Sequence, residues 1–297
     1  MREAIISFPM LGPDFAVNPP YCIRIGGFEI YFYGILIALG MLLAVWYCTR
    51  VGARFRLTAD EIYGYLIPAV ICAVIGARLY YCILYTDAEG VHTYLRNPVS
   101  FLYIRDGGLA LYGGVLGAGL AIWVRALRRR ESVWRVLDIM GMGLPIGQAV
   151  GRWGNFFNRE AYGYETDIFC RMGLTLNGTT VYVHPTFLYE SLWNCVGFGL
   201  LHFLSKRIRR YQGQFFLLYL IWYGLGRTLI EGLRSDSLWL VPGVVRVSQL
   251  LAACTCVLAL ALYIINANRL SAGKAPLAGR RDPAEEPPEP QNQETVS

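Results

Sequence analysis

The chain carries a series of apolar stretches, most of them about as long as a lipid bilayer is thick. A helix needs about 20 mostly apolar residues to cross the hydrocarbon core. Residues 30–49 and 247–268 carry no Asp, Glu, Lys or Arg, and residues 107–124 are uncharged and glycine-rich. Residues 62–86 are apolar except for Arg78, residues 186–205 except for Glu190, and residues 214–231 until Arg227 and Glu231. A shorter stretch, 136–152, holds Asp138 near one end and Arg152 at the other. These stretches predict an all-α integral membrane protein with about seven transmembrane helices.

Composition excludes an ordinary soluble domain. Only 16% of the 297 residues are charged and 55% are hydrophobic, where soluble domains carry about 25% charged residues. The net charge of +6 is to be read by position, because cytoplasmic loops of membrane proteins collect Lys and Arg. No basic and aromatic residues interleave in a nucleic-acid-binding pattern, so no nucleic-acid partner is expected. Most of the eight cysteines lie inside apolar runs, where Cys acts as a small hydrophobe. They imply neither a disulfide framework nor a metal site. No cleavable signal peptide is expected, since the first apolar run is too long for a signal core and is followed by others.

More than half of the Lys and Arg residues follow the first, third, fifth and seventh stretches, as in Arg50, Arg54 and Arg56, or Arg128, Arg129 and Arg130. The positive-inside rule then puts the N-terminus outside and the C-terminus in the cytoplasm. The expected organisation is an extracytoplasmic segment 1–29, a transmembrane catalytic domain 30–268 with an outer cap at about 155–185, and a disordered cytoplasmic tail 269–297. That tail is rich in Pro and Glu. On this topology Arg78, Arg152, Glu190, Arg227 and Glu231 reach one depth near the outer face, as do Tyr33 and Tyr112. A charge inside a span costs at least about 2.5 kcal/mol, so such residues face a cavity or a partner. Their clustering points to an outer-leaflet site for an anionic headgroup. Tyr223, Arg227, Glu231 and Arg234 recur at helical spacing and share one face.

Residues 151–163 read Gly-Arg-Trp-Gly-Asn-Phe-Phe-Asn-Arg-Glu-Ala-Tyr-Gly. With the glycine-rich segment 107–117, His-Pro-Thr-Phe-Leu-Tyr-Glu at 184–190, and Tyr-Gly-Leu-Gly-Arg-Thr-Leu-Ile-Glu-Gly-Leu-Arg at 223–234, this run resembles the prolipoprotein diacylglyceryl transferase family. The resemblance covers about residues 25 to 265. It implies transfer of the diacylglyceryl group of phosphatidylglycerol to the lipobox cysteine of a prolipoprotein, with release of glycerol 1-phosphate, in the bacterial cytoplasmic membrane. Membrane lipids and the signal-peptide lipobox are the implied partners, and no cofactor or metal is expected.

That chemistry suits the residues. A phosphodiester carrying one negative charge becomes a monoester approaching two, and fixed cations aimed at the growing charge lower the barrier. Arg152 and Arg227 are expected to form this clamp, because a guanidinium binds two phosphate oxygens and stays protonated. Asn155 and Asn158 are expected to hold headgroup or glycerol oxygens, with Gly163, Tyr33 and Arg234 contributing to substrate binding. Glu160 and Glu231 are expected to orient the arginines or receive the thiol proton. Tyr112 stands where many family members have a histidine often given a catalytic role. Its phenol is a poorer base at neutral pH but still forms hydrogen bonds. The rival reading is a multi-spanning transporter or channel for an anionic solute.

Overall fold

A computed structural model describes residues 4–86, 94, 98–102 and 108–281. The first residues of the N-terminal segment, Gly107 of the glycine-rich run and tail residues 282–297 lie outside the described residues. The chain divides into two compact units, Met1–Cys48 with Leu137–Ser297, and Thr49–Val136.

Seven described helices reach span length: α1 (Phe32–Val51), α2 (Ala59–Leu84), α3 (Leu111–Arg129), α4 (Val133–Asn158), α5 (Thr186–Leu204), α6 (Gln214–Glu231) and α7 (Val247–Ser271). Three are long and apolar enough in themselves to cross a membrane: Phe32–Phe55, which continues α1 by a 3-10 turn, Ala59–Leu84 and Val247–Ser271. The others carry the basic, amide and carboxylate side chains noted above, which lower their apolarity.

In the unit Thr49–Val136, a capping box starts α2: Glu61 N–H donates to Thr58 Oγ1 (3.2 Å) and Thr58 N–H to Glu61 Oε2 (2.7 Å), satisfying two helix-end donors. Helices α2 and α3 pack backbone to backbone. A Cβ at Gly117 would run into the Cys72 carbonyl, and one at Gly113 into that of Gly76. Arg78, expected near the outer headgroup site, donates to the carbonyls of Phe101 (3.0 Å) and Gly108 (3.1 Å). In this structure it holds the connection between α2 and α3.

In the other unit, α6 begins on a carboxylate borrowed from α4. Fully buried Asp138 accepts N–H donors from Gly213 (2.8 Å), Phe215 (2.8 Å) and Phe216 (3.0 Å), the orphan amides of a helix start. Helices α5 and α6 are joined by two tryptophans. Trp193 Nε1 donates to the Trp222 carbonyl at 3.0 Å, Trp222 Nε1 donates to the Trp193 carbonyl at 2.9 Å, and the rings stack with centroids 4.4 Å apart. Each indole fills space left by a glycine, Trp193 against Gly226 and Trp222 against Gly197.

Two boundaries differ from expectation. The N-terminal segment is not separate from the cap. Strands β1 (Ile5–Ser7) and β2 (Ala16–Val17) form an antiparallel sheet with β5 (Met172–Leu176) and β6 (Thr179–Val183), in the order β2-β1-β5-β6. Ile6 opposite Leu174 enters a core with Ala4, Met172, Val183 and Phe187. The hairpin β3 (Cys22–Ile25) and β4 (Phe28–Tyr31) turns at Gly26–Gly27, both at positive φ, as a tight two-residue hairpin turn requires, and leads into α1. The described residues therefore include a β-sheet that an all-α description omits.

The stretch 269–281, expected in the disordered tail, is also held by described contacts. Asn266, fully buried, accepts from the N–H groups of Leu277 (2.7 Å) and Ala278 (3.3 Å) and donates to the Ala278 carbonyl (2.8 Å). This clamp sends the chain back so that β8 (Arg280–Arg281) pairs with β7 (Tyr211–Gln212).

Candidate functional site

The site is built from α4, α5, α6 and the segments that follow α4 and α6. Glu190, one turn into α5, is only 4% exposed and receives three arginines. Arg152 Nη2 from α4 lies 2.6 Å from its Oε2, Arg227 Nη1 from α6 lies 2.8 Å from its Oε1, and Arg234 Nη1 approaches the same Oε1 at 3.4 Å. The second fork of Arg227 reaches Glu231 at 2.6 Å, one helical turn on, and Arg234 Nε lies 3.9 Å from that carboxylate. Arg234 also grips Asp236 with Nε at 3.0 Å and Nη2 at 2.8 Å. Burial alone would raise the Asp236 carboxyl, but the hydrogen bonds and charge of Arg234 outweigh it and hold it below the usual carboxylate range. Three guanidinium groups thus meet three carboxylates, those of Glu190, Glu231 and Asp236. Buried ions are sustainable only when paired this completely.

Beside the arginines runs a chain of amides. Arg152 Nη1 donates to Asn155 Oδ1 (3.2 Å), while Asn155 Nδ2 (3.2 Å) and Asn158 Nδ2 (3.1 Å) both donate to Glu160 Oε1. Glu160 therefore fixes the two asparagines, and through Asn155 it holds Arg152. Neighbouring Arg159 is buried and turns the other way, to the Ala4 carbonyl (3.1 Å) and Asn18 Oδ1 (2.7 Å), tying the N-terminal strands to this segment.

The glycines of the run are pressed by protein atoms. A Cβ at Gly154 would lie 2.6 Å from the Tyr33 ring, and one at Gly163 would lie 2.6 Å from both the His184 Cβ and the Leu233 carbonyl oxygen. Gly163 pairs with Arg234 as an isolated antiparallel bridge and donates its N–H to the His184 carbonyl at 2.9 Å. It threads the segment after α4 between the start of α5 and the end of α6, which positions Arg234. Tyr33 packs on Gly154 while remaining 39% exposed. His184 Nδ1 is 3.4 Å from the Tyr189 hydroxyl, and burial pushes its imidazole below the usual value.

Tyr112 belongs to the unit Thr49–Val136 and stands in the first turn of α3 with its side chain exposed.

The expected residues Arg152, Asn155, Asn158, Glu160, Arg227, Glu231 and Arg234 come together in one network. Two members escaped assignment of a role from sequence. Glu190 was visible as a charge in a span, and the unfavourable burial of that charge was the signal that it must face a cation. Arg246 is buried, donates to the Glu231 carbonyl and to the Tyr164 hydroxyl (3.1 Å), and lies 4.8 Å from the Trp239 ring centroid. It ties down the end of α6 that carries Glu231. Its signal was a lone basic residue immediately before an uncharged apolar run.

Comparison with known proteins bears on the same segments. The family model of the prolipoprotein diacylglyceryl transferases matches residues 20–265. The chain belongs to the prolipoprotein diacylglyceryl transferase family. Relatives named phosphatidylglycerol–prolipoprotein diacylglyceryl transferase include one from Enterococcus faecalis, 41% identical over 253 residues, covering 82% of this chain and 88% of the relative. One from Bacillus cereus is 41% identical over 251 residues, covering 82% and 90%. The matched region contains the whole arginine–carboxylate network, and family membership removes the transporter reading.

Proposed function

We propose that this protein transfers the diacylglyceryl group of phosphatidylglycerol to the lipobox cysteine of prolipoproteins, at the outer face of the bacterial cytoplasmic membrane. The observation that carries this reading is the convergence of Arg152 and Arg227, from different helices, on one carboxylate within the segments that define the family. All seven long helices span the bilayer on this reading, with the N-terminus outside and the C-terminus in the cytoplasm. Pairing of Arg152, Arg227 and Arg234 with Glu190, Glu231 and Asp236 supports burial of α4, α5 and α6 despite their charges.

The thiolate sulfur of the acceptor attacks the diacylglyceryl carbon that bears the phosphate. A carbon–sulfur bond forms as the carbon–oxygen bond breaks, and its electron pair leaves on the phosphate oxygen of glycerol 1-phosphate. The thiol proton departs to the phosphate or to solvent. About a tenth of a free thiol with a pKa near 8.5 is ionised at pH 7.5, so the larger demand is on the leaving group. Arg152 and Arg227 bear on that group, with Asn155 and Asn158 beside them for glycerol and headgroup oxygens. Glu160 and Glu231 hold the amides and Arg227 in place, and Gly163 holds Arg234. Tyr33 and Arg234 border the lipid headgroup. Tyr112 serves as a hydrogen-bonding group.

Purified protein reconstituted with phosphatidylglycerol and a lipobox peptide tests the reading. Mass spectrometry is expected to find one added diacylglyceryl group per cysteine, with one glycerol phosphate released. Unmodified peptide after incubation with folded protein would refute it.

A further inference from the structure

We propose that Glu190 is an internal stand-in for the phosphate, a positioning residue that holds the arginine forks between turnovers and recaptures them to expel the phosphate product. The proposal rests on the function assigned above and adds a step to it.

The geometry is unusual for a carboxylate that merely neutralises a neighbour. Glu190 uses both oxygens on three guanidinium groups from two separate segments of the chain, Oε2 on Arg152 and Oε1 on Arg227 and Arg234. Each of the other two carboxylates serves the network from one edge: Glu231 holds Arg227 and Arg234, which lie within four residues of it on the same chain segment, and Asp236 holds Arg234. Among the described residues, Glu190 is the carboxylate that binds Arg152 and Arg227 together. Those are the two residues assigned to the departing phosphate, so phosphate and Glu190 compete for the same forks.

A clamp shaped for a phosphate approaching two negative charges creates a difficulty after the bond has broken. Glycerol 1-phosphate has the charge that the clamp stabilises, whereas the incoming phosphodiester has one charge fewer. Such a site binds its product better than its substrate, and release then limits turnover. A resident carboxylate speeds that release. It must be displaced when lipid binds, which weakens substrate and product alike, and it returns to both arginines as the product leaves. Arg152 keeps Asn155, and Arg227 keeps Glu231, while Glu190 is displaced. The forks therefore remain oriented throughout.

The test compares wild-type protein with Glu190→Gln, which keeps the side chain's shape and removes its charge. Phosphatidylglycerol, lipobox peptide and added glycerol 1-phosphate are used, with glycerol as an uncharged control. Glu190→Gln is expected to show a burst of about one modified peptide per protein followed by slow turnover. Its KM for phosphatidylglycerol should fall. Inhibition by glycerol 1-phosphate should tighten about 10- to 100-fold, the scale of one charge-assisted hydrogen bond, with glycerol ineffective. A carboxylate that only braces the arginines predicts the opposite: no burst, a slower first turnover, and product inhibition unchanged or weaker. That result overturns the proposal. If Glu190→Gln does not fold, Glu190→Asp decides. Its carboxylate is withdrawn by about one carbon–carbon bond, ~1.5 Å, and its product inhibition should shift in the same direction by a smaller factor. Inhibition equal to that of wild type overturns the proposal. Wild-type protein that modifies no peptide would instead refute the assigned function, which separates the two failures.

Discussion

Replacing Gly226 by Ala tests whether the tryptophan clasp between α5 and α6 sets the geometry of the site. Gly226 immediately precedes Arg227, and a Cβ there would run into the indole of Trp193. That indole is not a free end that swings aside, because it donates to the Trp222 carbonyl and stacks on the Trp222 ring. Overpacking of this kind costs about 1–3 kcal/mol. Losing the Trp193 hydrogen bond adds about 1 kcal/mol, within the range measured between membrane helices. The expected destabilisation is therefore about 2–4 kcal/mol, read as a lower midpoint of thermal unfolding in detergent. Function should suffer more than stability. Pushing α6 from α5 carries Arg227 away from the point where it meets Arg152, and a misplacement of about 1 Å costs on the order of 100-fold in rate. Trp193→Phe removes the N–H while keeping most of the ring and should cost only about 1 kcal/mol. A Gly226→Ala variant with wild-type unfolding and wild-type transfer would show that the helices are held elsewhere and refute this reasoning.

Asp138→Asn keeps the side chain's shape, weakens the two bonds that one oxygen accepts from Phe215 and Phe216, and sets an amide donor against the Gly213 N–H at the start of α6. It should lower stability by about 1–3 kcal/mol, measurable in the same unfolding assay. Asp236 contributes a pH dependence whose sign follows from its depressed folded-state value. Its stabilisation is present above the unfolded carboxylate value near 3.9 and is lost as pH falls through the lower folded value. Asp236→Asn should flatten that part of the acid-unfolding profile, and an unchanged profile would contradict the pairing with Arg234. Tyr112→Phe should reduce kcat/KM about 2- to 10-fold, the worth of one hydrogen bond, and an unchanged rate would leave the residue a packing role.

The sequence made the helices and much of the site legible because both depend on local pattern. The unbroken apolar runs mark α1 and α7, and the spacing of Arg227, Glu231 and Arg234 brings them to one face. Arg152 and Arg227 were singled out by the cost of burying charge, and the structure brings them to the same carboxylate. What escaped notice is non-local. The strand Ile5–Ser7 is three residues long and takes its meaning from a partner near residue 174, so no period in its own neighbourhood announces it. Asn266 folds the end of the chain back through atoms 11 and 12 residues away, while the local abundance of Pro and Glu suggested disorder from residue 269. Glu190 was visible as a charge requiring a partner, but that three arginines share it depends on how α4, α5 and α6 meet.

Stabilisation of the departing phosphate by Arg152 and Arg227 is read from the rate of a single turnover of thioether formation. The comparison is among wild type, Arg152→Ala, Arg227→Ala and Arg227→Lys, each first shown to be folded by thermal unfolding. Removing one preorganised donor to a developing negative charge costs about 10²–10³ in rate. Each alanine variant should fall by that factor, and lysine should recover only part of the loss because it keeps the charge without the planar fork. Folded alanine variants that turn over at the wild-type rate would contradict the account.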